Sequence, residues 1–149
     1  MSLIISTALL DAIRAQAHAA GSNECCGLLL GDRATGHGTA SRVSAIRPAT
    51  NVAAEPRHFF EIDPAILLRT HREARSGGPA IVGHYHSHPE GDPIPSPVDA
   101  AMAQGTGDIW LIIGRNGAAR AWRAVSSGRL HGRFDPVALA CLTASSPAL

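Results

Sequence analysis

Apolar residues along the chain switch between helical spacing and strand alternation, and a cap or turn signal marks each switch. The opening "MSLIISTALLDAIRAQAHAAG", 1–21, has helical spacing, with Asp11 and Arg14 on its polar side. It predicts an amphipathic helix capped by Ser6 or Thr7, running to about Ala20 and stopped by Gly21. "CCGLLLGD", 25–32, reads as a short apolar strand, and "GTASRVSAIRPA", 38–49, alternates as its antiparallel hairpin partner. "IDPAILLRTHREARSGG", 62–78, has Asp63 as N-cap, Pro64 in the first helical position and glycines after the last turn, so it predicts a helix. "AIVGHYHSH", 80–88, follows as a strand. "SPVDAAMAQ", 96–104, starts another helix, and "DIWLIIG", 108–114, is a buried strand. "GAARAWRAV", 117–125, and "GRLHGRF", 128–134, predict two further short strands, and the Asp-Pro start of "DPVALACL", 135–142, predicts a last short helix.

Helices interleaved with mostly antiparallel strands place the chain in the α+β class: a single mixed sheet with helices packed on it. No repeat or interdomain linker is visible. Residues 1–143 form one domain, and "ASSPAL", 144–149, reads as a loose tail. The apolar face over residues 3–13 suits its own sheet or a second copy equally, which leaves a homodimer open.

Composition narrows the chemistry. A chain of 149 residues buries enough surface to fold without a disulfide or structural metal, so a metal here need not be structural. A hydrophobic fraction of 45%, 17% charged residues and a formal charge of +1 give no field for nucleic acid or a membrane surface. All thirteen basic residues are arginine, which removes Schiff-base and phosphate-loop lysine chemistry. Cys25, Cys26 and Cys141 are odd in number, and adjacent cysteines pair only with strain, so a reducing, cytoplasmic setting is expected. No signal peptide or membrane-spanning run appears.

The unusual stretch is "GHYHSHPEGDPIPSPVD", 83–99. Alternation puts His84, His86 and His88 on one strand face and Tyr85 and Ser87 on the other. Residues two apart lie roughly 6.6 Å apart along a strand, so two imidazoles converge on one ion only near a strand end. Pro89 supplies that end. The residues alone admit three readings. The histidines hold no ion; or His84, His86 and Glu90, with Gly78 before them, imitate the first motif of a cupin barrel, for which His131 makes a poor second motif; or His86 and His88 join a carboxylate downstream.

For the third reading, "HSHPEGDPIPSPVD" resembles the motif of the JAMM (MPN-type) zinc metalloproteases: His-Ser-His-Pro, six residues, then Ser-x-x-Asp. "NECCGLLLG", 23–31, is similar to the family's glutamate-bearing segment, with Glu24 ahead of the strand, and "RHFFEIDP", 57–64, to the stretch before the second helix of compact prokaryotic members. The resemblance covers about residues 3–125 and implies the family's layered fold, related to that of cytidine deaminases. It implies His86, His88 and Asp99 as ligands of one Zn²⁺ with water as the fourth ligand, and Glu24 as the general acid/base. Ser96 then serves as helix cap, oxyanion donor or both, and His84 as an outer or packing histidine. Two imidazoles and a carboxylate leave an open position on zinc, which acidifies water and polarises a carbonyl. The expected activity is hydrolysis of an amide or isopeptide bond after the extended C-terminal glycine tail of a ubiquitin-like or sulfur-carrier protein, the tail adding to a free sheet edge. The alternative within the family is a scaffold that binds partners without metal. Asp92 reads as turn chemistry, Cys25 and Cys26 as small buried thiols, and Trp110 and Trp122 as core.

Overall fold

A computed structural model describes residues 1–34 and 39–143. The expected loose tail, 144–149, and the first residue of the predicted strand at 38 lie outside the described residues. The elements run β1 (Ser2–Ser6), α1 (Thr7–Ala20), β2 (Cys26–Asp32), β3 (Ala40–Ala49), α2 (Pro64–Arg75), β4 (Ala80–Ser87), α3 (Pro97–Met102), β5 (Ile109–Ile113), β6 (Ala119–Gly128) and β7 (Gly132–Leu142).

Cap chemistry sets the helix boundaries where the sequence placed them. The Ser6 side chain accepts from the Leu9 N–H, and Gly21, at φ 62°, turns the chain away after Ala20. Asp63 caps α2 by accepting from the Ala65 N–H, with Pro64 following it. β2 and β3 form the expected antiparallel pair, with Cys26 opposite Ala49.

Two stretches differ from expectation. Residues 2–6, part of the stretch of helical spacing but ahead of the cap, form a strand of their own, because Leu3 and Ile5 are buried as β1 pairs in parallel with both β3 and β7. The apolar spacing of this stretch suits either period, and tertiary pairing decides it. Residues 135–142 are not a helix but most of β7, paired to β6 through Trp122↔Pro136 and to β1 through Ser2↔Ala138 onwards. Asp135 caps nothing there: its Oδ1 accepts from the Arg129 N–H in the turn that separates β6 from β7. The separate strand expected at 128–134 is the end of β6, that turn and the start of β7.

Nor is the sheet an open layer with helices laid on it. The strand order β1-β3-β2-β4-β5-β6-β7 closes on itself into a seven-stranded barrel of mixed direction. Every strand has two neighbours in this ring, but β1 covers only Ala40–Arg42 of β3, and among the described residues Val43–Ala49 pair with β2 alone, which leaves an outer edge for the expected addition of a substrate tail. Gly83 permits close packing within the ring, since a Cβ there would run into the carbonyl of Ile109 on β5.

Two cores follow from this closure. Leu10 and Ile13 of α1 join Leu3, Ile5, Leu29, Val82, Tyr85 and Leu111 in one, so the apolar face of the first helix is covered by its own sheet. The second is aromatic: Phe60, Trp110, Trp122 and Phe134 with Cys26, Ala100 and Ile112. β5 serves both, its alternate residues turning to opposite cores. Cys25 and Cys26 are buried, Cys141 is exposed, and all three are free thiols. No helix among the described residues is long and apolar enough to cross a membrane.

Candidate metal centre

The register of β2 on β4 builds the first half of the site. Cys26 pairs with His86, so two residues further out Glu24 comes beside His88. A loop fixes Glu24: its N–H donates to the Pro56 carbonyl at 2.7 Å, and its own carbonyl accepts from Asn51 Nδ2 at 2.9 Å. His88 stays attached to the next strand through its N–H, which donates to the Ile113 carbonyl at 2.8 Å.

The second half comes from the start of α3. Ser96 and Asp99 form a reciprocal capping box: Ser96 Oγ accepts from the Asp99 N–H, and Asp99 Oδ2 accepts from the Ser96 N–H, each at 3.0 Å. That geometry aims Oδ2 at the strand end, 3.3 Å from His86 Nε2 and 3.1 Å from His88 Nε2. The two Nε2 atoms are themselves 3.1 Å apart. Glu24, His86 and His88 each offer a ligand atom, all within 4.8 Å of one another. The loop leading to α3 is tied down by Trp122 Nε1, which donates to the Pro93 carbonyl at 3.0 Å, and by His131 Nε2 against the Pro95 carbonyl at 3.1 Å.

Burial sets the electrostatics. Desolvation raises the Glu24 carboxyl to about 7, with the His88 charge opposing and that of Asp99 adding to the rise. The same burial lowers His86, Asp99 opposing it and His88 reinforcing it. For His88, burial works against the charged ring, but Asp99, the Asp92 carbonyl and Glu24 outweigh it and the net shift is upward. Burial alone would raise Asp99; its contacts with His86, His88 and the Ser96 N–H hold it well below the usual carboxylate range.

The donor chemistry suits a cation. His88 Nδ1 lies 2.8 Å from the Asp92 carbonyl, which only accepts, so Nδ1 carries the hydrogen and a neutral ring turns its Nε2 lone pair to the cluster. Two imidazole nitrogens and carboxylate oxygens meeting this closely are a zinc-type donor set. Glu24 is 7% exposed, and its Oε1 has no hydrogen-bond partner.

Glu24, His88 and Ser96 line a cleft of about 300 Å³ with Arg57, His58 and Glu90. A larger cavity, about 540 Å³, is lined by Leu67, His71, His84, Met102 and Trp110 and touches none of Glu24, His86, His88, Ser96 or Asp99. His84 does not enter the cluster: its ring packs edge-on to Trp110 at 4.4 Å, and its Nδ1 is buried without a partner. His131 holds the loop instead of joining the histidines. The sequence did not single out Asn51, the Asp92 carbonyl or Phe60, whose ring stacks on His86. Only Phe60 had a signal, as part of "RHFFEIDP".

Comparison with known proteins places the chain in a family. Residues 6–125 match the family model described as prokaryotic homologs of the JAB domain. A protein named desampylase from Haloferax volcanii is 43% identical over 94 residues, 63% of this chain and 64% of that one. A probable TtuB-protein conjugate cleaving protease from Thermus thermophilus is 30% identical over 102 residues, 68% of this chain and 64% of that one. The chain thus spans less than two thirds of either relative. A solution structure of a protein from Desulfitobacterium hafniense shares the fold, with a TM-score of 0.79 at 24% identity over 95% of this chain and 93% of that one. The matched model, read with the histidine strand and the glutamate-bearing segment, places this chain in the prokaryotic JAB-domain branch of the JAMM/MPN family.

Proposed function

We propose that the chain is a zinc-dependent isopeptidase that hydrolyses the amide bond after the C-terminal glycine tail of a ubiquitin-like or sulfur-carrier protein. One observation carries the reading: three lone-pair donors, His86 Nε2, His88 Nε2 and Asp99 Oδ2, converge within 3.3 Å beside a buried carboxylate with an unpartnered oxygen. The relatives' names, a desampylase and a conjugate-cleaving protease, support the substrate class.

In this reading His86, His88 and Asp99 hold the zinc ion. When bound, zinc supplies Lewis acidity, which acidifies water and polarises the amide carbonyl. Glu24 does the proton work. Its carboxylate, within 4.8 Å of the ligand nitrogens of His86 and His88 and with Oε1 free of any hydrogen bond, accepts a proton from water and returns it to the leaving amine. Ser96 keeps its cap through the oxygen lone pair, so its O–H proton remains available to the carbonyl oxygen as negative charge develops there. The amide lies in the cleft between Arg57–His58 and Pro89–Gly91.

The test is hydrolysis of a glycine-tailed carrier joined by an isopeptide bond to a lysine peptide. We expect cleavage that a chelator abolishes and zinc restores, and a drop of about 10²–10⁴-fold in kcat for Glu24→Gln. Cleavage unaffected by both chelator and Glu24→Gln contradicts the reading.

A further inference from the structure

A metal-binding imidazole ordinarily donates its second ring N–H to a carboxylate, carbonyl or water, which fixes the plane of the ring. His88 follows this rule through Asp92. His86 does not: its side chain is wholly buried and its Nδ1 has no hydrogen-bond partner. What surrounds the ring is aromatic. Phe60 stacks on it with centroids 4.2 Å apart and planes 17° apart, and Trp110 stands edge-on at 5.6 Å and 85°. Phe60 and Trp110 also meet each other, at 5.9 Å and 79°. These are favoured aromatic geometries, and they leave the imidazole little freedom to tilt.

The backbone on either side of Phe60 is held as tightly. Asn51 Nδ2 donates to the carbonyls of Phe59 and Glu24, each at 2.9 Å, and Asn51 Oδ1 accepts from the Glu61 and Ala53 N–H groups, each at 3.0 Å. One side chain thus ties Glu24 and the stacking ring to the same loop.

We infer that Phe60, backed by Trp110, is the positioning residue of His86: ring stacking takes the place of the missing hydrogen bond and aims Nε2 at His88 and Asp99. The inference rests on the proposed metal centre and deepens it. If it holds, zinc affinity depends on a side chain that touches neither zinc nor substrate. Any core role Phe60 also has is separable, because Phe134 packs on Trp110 at 4.9 Å in the same aromatic core.

The experiment compares wild type, Phe60→Leu, Phe60→Tyr and Phe134→Leu for zinc affinity, by competition with a chromophoric chelator, and for the melting temperature of the zinc-free protein. Phe60→Leu should weaken zinc binding about 10- to 100-fold, the range for loss of a ligand-orienting partner. Phe60→Tyr, which keeps the ring, should restore most of the affinity. Phe134→Leu should melt lower yet bind zinc as wild type does. Equal zinc affinity in wild type and Phe60→Leu overturns the positioning role and leaves the metal centre standing. A wild type that takes up no zinc overturns both.

Discussion

On one face of β4, Tyr85 belongs to the aliphatic core beneath α1, and the polar groups of that face are matched: the Tyr85 hydroxyl donates to Gln16 Oε1, and Ser87 Oγ accepts from the Cys25 N–H at 2.8 Å. On the other face, His84 and His86 lie among Phe60 and Trp110, and each leaves a buried Nδ1 without a partner. Buried polar atoms are nearly always satisfied in folded proteins, so two unsatisfied ones on a single strand face set that face apart from the other. One face of the strand packs the aliphatic core; the other carries the candidate metal centre.

The two serine caps sharpen that comparison most. Ser6 caps a helix that covers the aliphatic core, and Ser96 caps the helix that carries Asp99. Either change to alanine should cost about 1 kcal/mol by denaturant titration. Only Ser96→Ala should also lower turnover, by about 10²–10³-fold if its hydroxyl faces the developing oxyanion. Equal turnover in the two variants would reduce Ser96 to a cap.

Gly27 probes the structural face. A Cβ there would collide with the Tyr85 phenol, which is wholly buried and cannot swing away. Gly27→Ala should therefore destabilise by about 1–3 kcal/mol, with the zinc affinity of the folded fraction unchanged. A large loss of zinc affinity instead would show that the two faces are coupled.

Just below neutral pH the smallest effect is on the acid response of the zinc-free protein, and it grows as the pH falls. Burial, reinforced by His86, holds the His84 imidazole down to about 3, against 6.5 in an unfolded chain. Between these values the unfolded state binds the extra proton, so stability is full above about pH 6.5 and falls as the pH drops toward 3. The slope for one such group is at most about 1.4 kcal/mol per pH unit. His86 acts with the same sign and His88, shifted upward, with the opposite one. His84→Leu should flatten the acid limb of a stability curve measured in chelator; an unchanged limb would mean that His84 is not held neutral.

Much of the site was legible because its signals are local. Alternation set His86 and His88 on one face, Pro89 marked the strand end where two rings can meet, and the Ser96–Asp99 spacing is a capping box whatever else it does. Glu24 stood out only through its likeness to a family segment, since the groups that fix its backbone, Pro56 and Asn51, are distant in sequence. The Asp92 contribution is a backbone carbonyl, which no side-chain pattern reveals. In the fold, the Asp135-Pro136 pair carried a helix-start signal, but the following run closes the barrel between β6 and β1. Local punctuation does not encode closure. The same holds for residues 2–6, whose pairing partners lie more than thirty residues away.

The most direct test of the central claim asks which carboxylate holds the metal, because Glu24 and Asp99 both flank the two histidines. Zinc content by elemental analysis, after zinc loading and desalting, is measured for wild type, Glu24→Gln and Asp99→Asn. We expect about one zinc per chain in wild type and Glu24→Gln and little in Asp99→Asn, as when three protein ligands hold a catalytic zinc. Zinc retained by Asp99→Asn and lost from Glu24→Gln would exchange the two roles. No zinc in wild type would contradict the metal centre and favour a binding module without metal.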